Sequence, residues 1–146
     1  MPKIKITTTV NTNYKKVFQE FKLDLLKNLT PPFIPFNILR FDGSYKNDQV
    51  HIELSFILFK QLWISLITEY FEDNEEIYFI DEGTTLPFFL KKWKHKHIIT
   101  KKNDNTTKIT DNVYFETPFF ITDILFYPVM YLMFYYRKPI YKKYFN

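Results

Sequence analysis

The sequence predicts an α+β domain in which a curved, seven-stranded antiparallel sheet wraps around a long C-terminal helix. Three observations predict it. A strand pattern and a helical pattern open the chain, six strand-like segments with short polar turns follow, and an apolar helical pattern closes it, in the order β-α(α)-β6-α. The length suits one domain over residues 1–146, able to bury enough surface to fold without disulfides or a structural metal.

Ile4, Ile6, Thr8 and Val10 alternate with Lys5, Thr7 and Thr9, which reads as a half-buried first strand. Asn11 or Asn13 then offers a short side-chain oxygen to the free N–H groups of a first helical turn. Val17, Phe18, Phe21, Leu25 and Leu29 recur at helical spacing and lay one apolar stripe on the fold. Thr30-Pro31-Pro32 stops that helix, because proline lacks the N–H and disfavours helix in the residue before it.

Strands are predicted at Asn37–Phe41, Gln49–Leu58, Gln61–Phe71, Glu75–Glu82, Phe88–Lys101 and Thr106–Thr117. Asp42-Gly43-Ser44, Asp73-Asn74 and Asn103-Asp104-Asn105 supply turn chemistry between them. A final helix opens near Thr122-Asp123, where a carboxylate favours a helix N-terminus. Its apolar run from Ile124 to Tyr136 falls short of the roughly 20 residues a membrane span needs, so it reads as a buried helix. Pro128 and Pro139 fall inside this predicted helix and should each remove a hydrogen bond and kink it. The helix cannot fill such a sheet along its whole length, which leaves room for a cavity.

Composition removes several function classes. The chain has no cysteine, which excludes disulfides, thiolate metal sites and cysteine nucleophiles and fits a reducing compartment. No apolar signal core precedes the first strand, so a cytoplasmic location is expected. The net charge of +4 comes mostly from scattered lysines, with Arg40 and Arg137 the only arginines, and no nucleic-acid-reading motif accompanies them. Nucleic acid is therefore not an expected partner.

Several short stretches carry a family resemblance in order along nearly the whole chain. They are Leu29-Thr30-Pro31-Pro32-Phe33 with Phe36-Asn37-Ile38-Leu39, then Phe79-Ile80-Asp81-Glu82 and Trp93-x-His95-x-His97. Thr110-Asp111-x-Val113-Tyr114, Pro118-Phe119 and Tyr136-Arg137 complete the set. In this order the chain resembles the START-like, or SRPBCC, superfamily of helix-grip proteins, and more narrowly short bacterial members labelled cell-division-inhibitor-like or polyketide-cyclase-like. The resemblance implies a helix-grip fold and hydrophobic ligand binding in general. The chain departs from such relatives at Pro118-Phe119-Phe120, where a glycine often follows the proline.

Candidate site residues follow from strand alternation. Trp93, His95 and His97 share one face, as do Asp111, Val113 and Phe115, and as do Phe79 and Asp81. Inward faces carrying an indole, imidazoles and carboxylates must satisfy those polar groups, and a pocket is one way to do so. These eight residues are the expected ligand-binding set. A His-x-His pair with Asp81 or Asp111 as a third ligand is a pattern met in metal sites. The expectation is instead that one of the two histidines is buried and hydrogen-bonded to Asp81 or Asp111 with no metal, and no cofactor fingerprint is present. Arg137 is expected to pair with a carboxylate or cap helix carbonyls, and His51 to face solvent.

The expected function is binding of a small hydrophobic or amphipathic molecule (a lipid, quinone, polyketide-like or aromatic metabolite) between sheet and helix. One alternative is an enzyme of the cyclase, dehydratase or hydrolase type, moving protons through His95, His97 and Asp111. Another is an interaction module with a collapsed cavity, whose aromatic C-terminal segment and Lys142-Lys143 touch a membrane surface or a partner.

Overall fold

The computed structural model describes residues 2–146. The elements run β1 (Lys3–Val10), α1 (Tyr14–Gln19), α2 (Leu23–Leu29), β2 (Phe36–Phe41), β3 (Gln49–Ser55), β4 (Lys60–Glu72), β5 (Glu76–Thr85), β6 (Lys92–Asn103), β7 (Thr106–Glu116), α3 (Phe120–Tyr135) and α4 (Arg137–Tyr144). All seven strands form one antiparallel sheet in the order β1-β7-β6-β5-β4-β3-β2. Every neighbouring pair except β1–β7 is a hairpin, so the short Asp- and Asn-rich turns determine most of the topology.

Four elements differ from the sequence reading, three of them ahead of the C-terminal helix. The first helical segment is two short helices. Asn13 caps α1, its Oδ1 accepting from the Lys15 N–H at 3.0 Å, but the helix ends at Gln19. The break frees the Phe21 carbonyl, which accepts from Ser44 Oγ at 3.2 Å, and Phe21 turns edge-on to Phe79 and His97. Tertiary partners thus override a helical period that would run straight through. The predicted β3 also overran: Phe56, Ile57 and Leu58 form the β3–β4 turn, closed by Phe56 N–H donating to the Phe59 carbonyl at 2.8 Å. Likewise β6 starts at Lys92 rather than Phe88, because Pro87 and the residues after it turn the chain.

The long C-terminal helix is also two segments, and the break falls at Tyr136 rather than at either proline. Pro128 lies within α3. Pro139 occupies the first turn of α4, where its missing N–H needs no partner and its ring clashes with a continuation from Tyr135. Nor is α3 a buried helix. Met130 and Phe134 are buried, while Ile124, Leu125 and Leu132 are mostly exposed. A cavity rather than core lies beneath much of it. No helix among the described residues is long and apolar enough to cross a membrane.

The inward faces form two apolar clusters with a polar belt between them. One holds Val10, Val17, Leu25, Ile77, Phe79, Ile99, Ile109 and Tyr141; the other holds Ile4, Ile6, Trp93, Val113, Phe115, Met130 and Phe134. Along β6 the inward row reads Ile99, His97, His95, Trp93, and along β7 it reads Ile109, Asp111, Val113. Strict two-residue alternation therefore sets the imidazoles and a carboxylate between the clusters.

Candidate functional site

The polar belt is a box of two carboxylates bridged by two imidazoles. In the strand register Asp81 stands opposite His95, and His97 opposite Asp111. These direct pairs are the long ones, with His95 Nδ1 3.6 Å from Asp81 Oδ2 and His97 Nδ1 3.8 Å from Asp111 Oδ1. The hydrogen bonds run diagonally. His95 Nε2 lies 2.8 Å from Asp111 Oδ1, and His97 Nε2 lies 2.8 Å from Asp81 Oδ2. Each ring thus spans both carboxylates, in opposite senses, and the two rings pack with centroids 3.6 Å apart.

Outer partners complete the box. Trp93 Nε1–H donates to Asp81 Oδ1 at 2.9 Å, and an Arg137 guanidinium N–H donates to Asp111 Oδ1 at 3.3 Å. Phe79 stacks on His97 at 4.2 Å, and Phe134 meets His95 edge-on while carrying Arg137 over its face at 4.5 Å. Arg137 opens α4, and Tyr141, one turn later, is fully buried beside it. Its hydroxyl and His97 Nδ1 are the buried side-chain atoms without a hydrogen-bond partner among the described residues.

Charge follows from this geometry. Burial raises the Asp111 carboxyl, but the Arg137 guanidinium and the two histidines outweigh it and bring the pKa down to about 2. Burial likewise opposes ionisation of Asp81, but the His97 hydrogen bond, the imidazoles and the Trp93 N–H together hold it below the usual carboxylate value. Burial and the neighbouring His95 push His97 down to about 4, so it is neutral at pH 7. It therefore donates from Nε2 to the Asp81 carboxylate and leaves Nδ1 as a lone pair. Burial works against the Arg137 charge, but Tyr141 and the carboxylates raise its pKa further.

Asp81, His95 and His97 each offer an atom within 4.8 Å of the others, near enough to share a metal ion. Both imidazole Nε2 atoms already engage carboxylates, and Arg137 places a positive charge at the Asp111 end of the box. A cation taking either Nε2 atom would displace one of those bonds, whereas the His97 Nδ1 lone pair is free, and three donors fall short of a closed tetrahedral site.

Beside the box lies a cavity of about 710 Å³, walled by α2, the inner faces of β2 to β6, and α3. That volume is within the range of small-molecule sites. Five of the eight sequence-predicted residues reach its wall: Phe79, Asp81, Trp93, His95 and His97. Asp111 sits behind the imidazoles, and Val113 and Phe115 are fully buried in core, because β7 lies next to the edge strand β1 and beneath α3 rather than at the cavity. His51 is half-buried rather than solvent-facing, its Nε2 2.8 Å from Gln49 Oε1. Sequence reasoning missed the far wall, where Leu25, Leu29, Val50, Ile52, Trp63 and Ser65 contribute. It also missed Tyr141, whose signal was its place four residues after Arg137, on the same helix face.

No family model and no curated protein matches the chain. Solved structures do. XoxI from Bacillus cereus superposes with a TM-score of 0.68 at 16% identity, over 99% of this chain and 96% of that one. Norcoclaurine synthase from Thalictrum flavum, in complex with dopamine and hydroxybenzaldehyde, gives 0.61 at 10% identity over 95% and 86%. Ara h 8.0201 gives 0.56 at 16% identity over 95% and 96%. The chain has the SRPBCC-type helix-grip fold.

Proposed function

We propose that this chain binds a small, largely apolar molecule carrying one polar group, held in the cavity with that group against the His–Asp box. The supporting observation is the wall itself: aromatic and aliphatic side chains on every side, with Asp81, His95, His97 and Arg137 gathered at one polar corner. Apolar contact supplies affinity at roughly 25 cal/mol per Å² buried, and a single polar corner sets orientation. The norcoclaurine synthase structure holds small aromatic molecules in the same fold, which agrees with this reading. Phe79, Trp93 and the box residues on the wall would contact the ligand; Asp111 and Arg137 would hold the box in shape.

The imidazole nitrogens turn toward carboxylates rather than into open space, so binding accounts for the geometry better than proton transfer to a substrate. Native mass spectrometry of the protein from its own host tests whether a small molecule co-purifies. An apolar fluorescent probe supplies the controlled version. Ser65 is a small side chain on the β4 wall, and Ser65→Phe should fill the space and weaken probe binding by at least about tenfold. Equal probe binding by parent and variant would count against the cavity as the binding site.

A further inference from the structure

The two ends of the sheet differ in kind. At one end the connections between β2 and β3, β4 and β5, and β6 and β7 span residues 42–48, 73–75 and 104–105 and include Asp42, Asp48, Asp73, Glu75 and Asp104. At the other end lie residues 30–35, 56–59, 86–91 and 117–119, which contain no acidic residue and one cation, Lys91. Instead they present Phe33, Phe56-Ile57-Leu58-Phe59, Phe88 and Phe119, all exposed, with Ile57 and Leu58 at 102% and 89%. Aromatic contacts join two of these connections to each other and to α3. Phe56 packs on Phe59, Phe88 and Phe89, and Phe89 stacks on Phe126 of α3 at 5.6 Å.

The exposed side of α3 continues that surface. Its first turns expose Phe120, Ile121, Ile124 and Leu125, and a stacked ladder of Tyr127, Tyr131 and Tyr135 follows. Tyr127 lies about 10 Å along the helix axis from Phe120. Apolar tips followed at that depth by tyrosines match a bilayer, where apolar faces enter roughly 5–10 Å and tyrosines favour the interface. A flat protein partner would not need separate protruding tips.

We propose that this end docks on an anionic phospholipid bilayer. Connections free of carboxylates can enter the interface without carrying a negative charge into it. Lys60, Lys91 and Lys92 stand around the tips, Lys60 paired with Glu53 and the other two sharing Glu116. One positive charge is thus left over there, and the net charge of +4 draws the chain toward an anionic surface. Lys142 and Lys143 have no part in this, because α4 ends at the opposite end, where the Asn11 N–H donates to Asn146 Oδ1. The cavity wall includes Phe56, Phe88 and Phe119, so the docking end also frames the cavity. Docking nevertheless stands independently of whether the cavity takes a ligand.

Flotation with vesicles tests it. The full chain should float with vesicles of equal parts phosphatidylcholine and phosphatidylglycerol, and less with phosphatidylcholine alone. Ile57→Glu/Leu58→Glu should cut the vesicle-bound fraction by about tenfold or more without changing the melting temperature, since both side chains point into solvent. Ser65→Phe should float like the parent, which separates a failure of docking from a failure of cavity binding. Three results would overturn the proposal: a parent chain that stays unbound, a double variant that floats equally well, or a vesicle-free dimer that the double variant abolishes. The last would make a second copy the occupant.

Discussion

Replacing Arg137 with methionine is expected to lower the free energy of unfolding by about 3–5 kcal/mol, because it leaves a buried carboxylate without its cation. Asp111 is 2% exposed, and its Oδ1 takes both the Arg137 N–H and His95 Nε2. Methionine retains much of the contact with Phe134 and so isolates the charge. Urea unfolding measures the loss. A further Asp111→Leu change should restore part of it by removing the stranded charge. A loss below about 1 kcal/mol, the range of exposed pairs, would mean that water reaches Asp111 and that the box is open.

Acid should destabilise this protein in two steps, and the first belongs to His97. Its pKa is about 4 in the fold against 6.5 as a free group, so the unfolded chain takes up that proton first as pH falls. The stability is fully present above pH 6.5, is lost progressively toward pH 4, and amounts to about 3 kcal/mol across that window. Asp111, brought from 3.8 to about 2, adds a second loss over that lower range. His97→Gln keeps a donor for Asp81 but cannot titrate. Unfolding free energies measured above pH 6.5 and near pH 4 should therefore differ by about 3 kcal/mol less in the variant. Parallel pH dependence in variant and parent would show that His97 is solvated.

What the sequence revealed and what it concealed divide along physical lines. That Trp93, His95 and His97 share a face was readable because the strand period of two leaves no freedom. Which carboxylate each imidazole holds was not readable. The bonds are diagonal, and they depend on ring rotation across three strands rather than on register alone. The strands themselves lay within a few residues of their predicted places, because Asp-, Asn- and Pro-containing turns mark their ends.

The breaks at Phe21 and Tyr136 left little trace. The apolar period continues through Phe21, and the proline responsible at the second break lies three residues beyond it. The far cavity wall was hidden for a different reason. Val50, Ile52 and Leu54 alternate like ordinary core, and no local pattern distinguishes a side chain that meets another from one that faces a void. The same holds for α3. Its sequence is apolar on all sides, which reads as burial until the sheet is seen to leave one side uncovered.

Trp63 and Trp93 meet edge-on with ring centroids 4.9 Å apart, and both stand on the cavity wall. They are also the chain's two tryptophans. All of its indole emission therefore originates at the cavity, and one emitter has its N–H tied to Asp81. The protein carries a built-in optical gauge. A guest that displaces solvent from the wall shifts that emission to the blue, and one that disturbs the Asp81 bond changes its intensity. Occupancy can thus be titrated without a label, and a molecule that leaves the spectrum untouched has bound elsewhere.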